Sequence, residues 1–217
     1  MRIGVIGSGN IGATAARLLA AAGHEVALSH AGGPESLRDQ VAALGPRARA
    51  VTVEEAAEFG EVLILAIPWR SRGDLPAGWM RGKVVVDAMN PFRPDGKLYD
   101  LGESTSSEEV AKAVPGARLV KGLNHLRARD LATRGAPDRP VEARTALFLA
   151  GDDQEAKAIV AGLVDDIGFA PADAGSLREG GRLQQAGGPL YLTPMTGAEA
   201  REALRGAAPS AAPPGAG

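Results

Sequence analysis

A short apolar run, residues 2–6, leads straight into Gly7-Ser8-Gly9-Asn10-Ile11-Gly12, and the residues behind it follow a helical pattern through position 22. A G-x-G-x-x-G that leaves a strand and opens a helix constrains this chain more than any other feature. Each glycine has its own reason. Gly7 permits the tight turn, Gly9 leaves bare main chain that a diphosphate can approach, and Gly12 lets the helix lie against the strand. The helix N-terminus then offers unpaired N–H groups and a favourable dipole to the anion. A glycine turn without a ligand is the plainer alternative, and the strand-to-helix context favours the dinucleotide.

Apolar runs and helical patterns go on alternating. Strands are expected at residues 25–29, 48–51, 62–67, 83–87 and 118–121. Helices are expected at residues 34–44, with Pro34 in the first turn, after a Thr52/Glu55 capping box, and from a Ser106/Glu109 capping box through Ala113. This alternation implies an α/β fold, a doubly wound and mostly parallel sheet covered on both faces. Two more strands, at 145–150 and 169–172, flank a helix on which Ile159, Val160, Leu163, Val164 and Ile167 recur at helical spacing. The expected organisation is a Rossmann dinucleotide-binding domain over 1–150, a small C-terminal α/β extension over 151–205 that completes the cleft, and a disordered Ala/Pro/Gly tail over 206–217.

Composition removes several function classes. The formal net charge of -2 gives no reason to expect nucleic acid or a membrane surface as a partner. The chain has no cysteine, so disulfides, thiolate metal sites and cysteine nucleophiles are absent. Three scattered histidines have no metal-ligand spacing, and there is no G-x-S-x-G elbow for hydrolysis. The first apolar run ends in the glycine loop and no export signal is visible, so a cytoplasmic location is expected.

Ligands of such sheets sit beyond the carboxyl ends of the strands. The second strand ends in Ser29-His30 without the carboxylate that reads the ribose of NAD, so Ser29 and His30 are expected to hold the 2′-phosphate of NADP(H), with Arg38 one turn further on. Ile67 and Pro68 would wall the nicotinamide, and Trp69 would offer a flat face to a planar substrate. Asn90 and Asn124 close two neighbouring strands and would converge as amide groups on one cleft. No residue carries a certain catalytic role. His125 and Tyr191 are the candidates, each with a plain packing role as its alternative.

The opening Met1-Arg2-Ile3-Gly4-Val5-Ile6-Gly7-Ser8-Gly9-Asn10-Ile11-Gly12 resembles the NADP oxidoreductases that use the deazaflavin coenzyme F-420. Ile67-Pro68-Trp69, Gly151-Asp152-Asp153 and Asp173-Ala174-Gly175-Ser176-Leu177 follow that family's order, and the resemblance covers about residues 1–195. It implies hydride exchange between NADPH and coenzyme F-420 or a flavin, in a homodimer. It also implies that Ser8, Gly9, Asn10 and Ile11 hold the pyrophosphate, Ser29 the 2′-phosphate, and Ile67 and Pro68 the nicotinamide. Where that family carries an arginine after the second-strand serine, this chain has His30. The run from Arg182 to Tyr191 is similar to a bacterial subgroup whose second substrate is unassigned. Two rivals stand beside this reading. One is an NADPH-dependent reductase of a C=O or C=N bond, with His125 or Tyr191 as proton donor; the other is a non-catalytic NADP(H)-sensing module.

Overall fold

The computed structural model describes residues 1–207. Along the chain run β1 (Arg2–Ile6), α1 (Asn10–Ala21), β2 (Glu25–Ser29), α2 (Arg38–Ala42), β3 (Ala48–Ala50), α3 (Val53–Phe59), β4 (Val62–Leu65), α4 (Ala77–Met80) and β5 (Val84–Asp87). They are followed by α5 (Ser106–Ala113), β6 (Arg118–Lys121), α6 (Ala128–Thr133), β7 (Ala146–Leu149), α7 (Gln154–Asp166), β8 (Ala170–Asp173), α8 (Glu179–Gln184) and α9 (Gly197–Ala207). Six strands form one sheet in the order β3-β2-β1-β4-β5-β6, every pair parallel. The order reverses between β1 and β4, which places a crevice where the glycine loop leaves β1.

The strands are aliphatic on both faces because both are covered. Ile3, Val5, Val26, Leu28, Ile64, Val86 and Val120 face a core shared with α1, α6 and α7. Ile6, Ala27, Leu63, Leu65, Val85 and Leu119 face a second core with α3, α4 and α5. This is the doubly wound sheet that the strand–helix alternation implies, and it settles the fold class as α/β.

β7 and β8 pair with each other in a separate parallel sheet. It meets the large sheet at one antiparallel bridge, where the Lys121 and Ala150 main chains exchange hydrogen bonds of 2.7 and 3.0 Å. The division expected at residue 150 therefore falls between two paired strands, and the change of sheet comes between β6 and β7.

Several other expectations need correction. The helix over 34–44 breaks into a 3-10 turn, Pro34–Leu37, and the short α2. Gly33 (φ 81°) precedes it and Gly45 (φ 88°) follows it, and Ser36 Oγ folds back onto the Gly33 carbonyl at 2.9 Å. α5 is capped one residue earlier than expected. The Thr105 side chain accepts from the Glu108 amide, and the Glu108 side chain accepts from the Thr105 amide. The expected tail begins inside α9, which reaches Ala207; residues 208–217 lie outside the described residues. Among the described residues no helix is long and apolar enough to cross a membrane.

Candidate functional site

The glycine loop is built by close contacts. Gly7 has φ 113°, and a Cβ placed on it would lie 2.3 Å from the Ala66 carbonyl oxygen. A Cβ on Gly12 would lie 1.8 Å from the Gly7 carbonyl oxygen, so α1 touches the turn backbone to backbone. Gly9 is the opposite case. It caps α1 in an extended conformation with no side-chain hydrogen bond, and a Cβ there would meet nothing within 4 Å. The first turn of α1, which begins with Asn10 and Ile11, carries no acidic residue. Its leading N–H groups thus open onto empty space, the arrangement that receives a phosphate.

A cleft of about 390 Å³ extends from this point, lined by Ser8, Gly9, His30, Ile67 and Pro68 among others. Val53, Ser71, Asp74 and Leu75 also line it and were not legible in the sequence. Val53 follows the end of β3, so the strand-end rule applied to β3 would have found it. Ser71 and Asp74 sit on a 3-10 turn, Trp69–Asp74, that has no periodic signal. A second hollow of about 430 Å³ lies between β8 and α9, away from the strand ends of the large sheet.

The tip of β2 departs from expectation. Ser29 is fully buried, and its hydroxyl donates to the Val5 carbonyl at 3.0 Å. It turns into the sheet and presents no donor to a 2′-phosphate. His30 does line the cleft, with Nε2 2.7 Å from Ser36 Oγ. Its ring lies over Gly32, where a Cβ would come within 2.6 Å of Cε1. Arg38 points to solvent and pairs with Glu35.

Trp69 is not the open platform the sequence suggested. It is buried, its Nε1 donates to the Ser106 carbonyl at 3.1 Å, the Arg72 guanidinium stacks 3.6 Å from its ring centre, and Tyr99 tilts against it at 5.2 Å. Those neighbours leave no face for a substrate. Asn90 and Asn124 do meet. Asn90 Nδ2 donates to the Asn124 carbonyl at 2.9 Å, and Asn124 Nδ2 donates to Asn90 Oδ1 at 3.2 Å. Asn124 Nδ2 also reaches the Gln184 carbonyl at 2.8 Å, and the Ala186 amide donates to Asn90 Oδ1 at 3.0 Å. The groups around Gln184 orient its amide so that nitrogen faces Asn124 Oδ1 and the Phe148 carbonyl. The pair fastens the segment after α8 to the ends of β5 and β6.

His125 leaves the list of proton donors. It is 1% exposed, edge-on to Phe148 with ring centres 4.9 Å apart, and its Nε2 lies 3.3 Å from the Ala146 carbonyl oxygen. Burial holds its pKa down at about 4. The unfolded imidazole titrates near 6.5, so the native state resists a proton that the unfolded chain accepts. Stability is therefore expected to be full above pH 6.5 and to fall by roughly 3 kcal/mol as pH drops to 4. Denaturant titrations across this range should show a flatter acid limb in H125Q than in the natural protein. Tyr191 is half-buried, and burial raises its phenol pKa against the opposing charge of Arg127. The hydroxyl stays protonated at neutral pH.

The later motifs are accounted for by structure. Asp153 caps α7 and pairs with Arg118; Asp152 accepts from the Leu177 amide at 3.1 Å. Asp173 holds Lys157 at 2.8 and 2.9 Å and the Gly175 amide at 2.9 Å. Gly180 sits in α8 because a Cβ there would lie 2.4 Å from the Ala174 carbonyl oxygen.

A parallel sheet in this order, with a glycine loop at its crevice, defines a Rossmann dinucleotide-binding protein. Residues 2–91 match the model of the family described as NADP oxidoreductase coenzyme F420-dependent. The whole fold is shared with a hypothetical protein from Sinorhizobium meliloti, 36% identical over 90% of this chain and 95% of that one, with a TM-score of 0.81. A candidate F420-dependent NADP reductase from Arthrobacter sp. FB24 is 26% identical over 81% of this chain and 85% of its own, with a TM-score of 0.69. Metalloreductase STEAP3 of Rattus norvegicus is 28% identical over 89% of this chain. The chain spans 37% of the length of that curated relative.

Proposed function

We propose that this chain binds NADP(H) along the cleft and catalyses hydride transfer between its nicotinamide and a flat second substrate of the deazaflavin or flavin class. The observation that carries the reading is Gly9, a helix cap without a side chain facing open space at the sheet's crossover. Residues of the first turn of α1 bind the diphosphate through main-chain N–H groups. His30 lines the cleft at the tip of β2 with Ser36 against its ring, and no carboxylate ends β2, which supports the reading of a 2′-phosphate there. Ile67 and Pro68 give the cleft an apolar wall for the ring half of the cofactor. When bound, the reduced nicotinamide supplies a hydride.

Transfer between two rings needs alignment and dryness rather than an acid–base pair. The burial of His125 removes one of the two proton donors that reduction of a C=O or C=N bond would use, which favours the flat acceptor. The acceptor class also agrees with the relative from Arthrobacter, described as F420-dependent. Tyr191 keeps the second reading testable. A cytoplasmic location and a homodimer complete the proposal.

Fluorescence titration is expected to show NADPH binding at least tenfold tighter than NADH, about 1.4 kcal/mol of preference. NADPH consumption should follow addition of a deazaflavin, a flavin or a quinone, and should survive Tyr191→Phe. Turnover confined to carbonyl or imine substrates and lost in Y191F would move the assignment to the second reading. Tight binding with no turnover against any acceptor would make the chain a sensing module.

A further inference from the structure

Directly behind the two asparagines lies a pair of charges with no exposure to water. Asp87 ends β5 and Lys121 ends β6, both 0% exposed, with Lys121 Nζ 3.1 Å from Asp87 Oδ2. Ser107, on the first turn of α5, donates a short hydrogen bond to the same oxygen. The remaining bonds converge on one residue. The Met89 amide donates to Asp87 Oδ1 at 3.0 Å, and the Met89 carbonyl accepts from Lys121 Nζ at 3.1 Å. Met89 is thus clasped at both its N–H and its C=O, and the next residue is Asn90.

The other asparagine is prepared differently. Leu123 has φ 59°, a left-handed conformation that costs an L side chain about 1–2 kcal/mol. Its side chain is buried in the large core with α1, α6 and α7, which keeps the residue in that conformation. The turn delivers Asn124 against Asn90. Burying two charges is a poor route to stability, since well-packed apolar side chains of similar volume often do as well or better. An ion pair whose members stand three positions before the two amides, and a strained residue immediately before Asn124, point to geometry as what they secure.

We infer that Asp87, Lys121 and Ser107 are positioning residues that hold Asn90 and Asn124 as a rigid amide pair, against which the nicotinamide and its acceptor are aligned. This rests on the proposed function, because it assumes that the ring half of the cofactor lies over the ends of β5 and β6. Ser107→Ala removes one bond and leaves the ion pair; Asp87→Leu combined with Lys121→Met replaces the charges by an apolar pair. Both are read in the full chain by NADPH affinity, by turnover with the acceptor that the natural protein reduces, and by the side-chain NH₂ cross-peaks of Asn90 and Asn124 in ¹H–¹⁵N spectra.

NADPH affinity is expected to stay within about threefold in both variants, because the diphosphate seat at α1 is untouched. Turnover is expected to fall about tenfold in S107A and about 100-fold or more in the double variant, as misalignment of the reacting groups does. The asparagine cross-peaks, shifted by NADP⁺ in the natural protein, should broaden and lose that response. Wild-type turnover and unchanged cross-peaks in S107A, or in the double variant where it folds, would overturn the inference. If the double variant fails to fold, S107A decides by the same two readouts. Failure of the natural protein to bind NADPH would instead remove the proposed function itself.

Discussion

Gly9→Val is expected to give a folded protein that has lost NADPH binding by at least about 100-fold. The backbone at Gly9, φ −71° and ψ −172°, is open to any L residue, and a Cβ there touches nothing within 4 Å. The fold therefore has no reason to object beyond the weak capping preference, up to about 1 kcal/mol. The isopropyl group would occupy the space in front of the leading N–H groups of α1. Two charge-assisted main-chain bonds lost at about 1.5–3 kcal/mol each amount to about 3 kcal/mol or more, which is the 100-fold. Circular dichroism checks the first half and fluorescence titration the second. Binding at the natural affinity would mean that the diphosphate rests elsewhere.

Gly12→Ala, three residues further, should do the reverse and unfold the protein more readily. On an exposed helix this change would stabilise by about 1 kcal/mol, since alanine is the better helix former. Here the new methyl would lie 1.8 Å from the Gly7 carbonyl oxygen, a backbone atom that cannot rotate away. α1 must lift from β1 and disturb the core that Ala15, Ala16 and Leu19 fill with α7. A loss of about 3 kcal/mol, at the upper end for overpacking, is expected, and about 6–12 °C in melting temperature for a chain of this length. A melting temperature equal to or above the natural one would show that the helix can shift without loss.

The contrast between these glycines explains what was legible in the sequence. The loop, the parallel sheet and the convergence of Asn90 and Asn124 follow from position along a strand, because chain direction fixes which end of each strand meets the crevice. Side-chain orientation does not follow in that way. Ser29 ends β2, and Trp69 and His125 each lie four residues beyond a strand end, yet each is turned inward by a neighbour in space: the Val5 carbonyl, the Arg72–Tyr99 pair and Phe148. Those partners are remote in sequence or arrive on irregular segments. Asp87 and Lys121 read as ordinary strand-end charges until the register sets them side by side. The strands β7 and β8 were evident, but their pairing apart from the main sheet depends on residues 122–145, where no periodic pattern guided the reading.

The bridge from Lys121 to Ala150 bears on how such a unit can be borrowed. Ala156, Val160, Leu163 and Val164 of α7 sit in the same core as Val86 and Val120 of the large sheet. A fragment cut at residue 150 would keep that bridge but lose α7 and strip the face it covers. The nucleotide-binding half is therefore not a detachable cassette. A longer polypeptide that incorporates it has to carry α7 along with the six-stranded sheet.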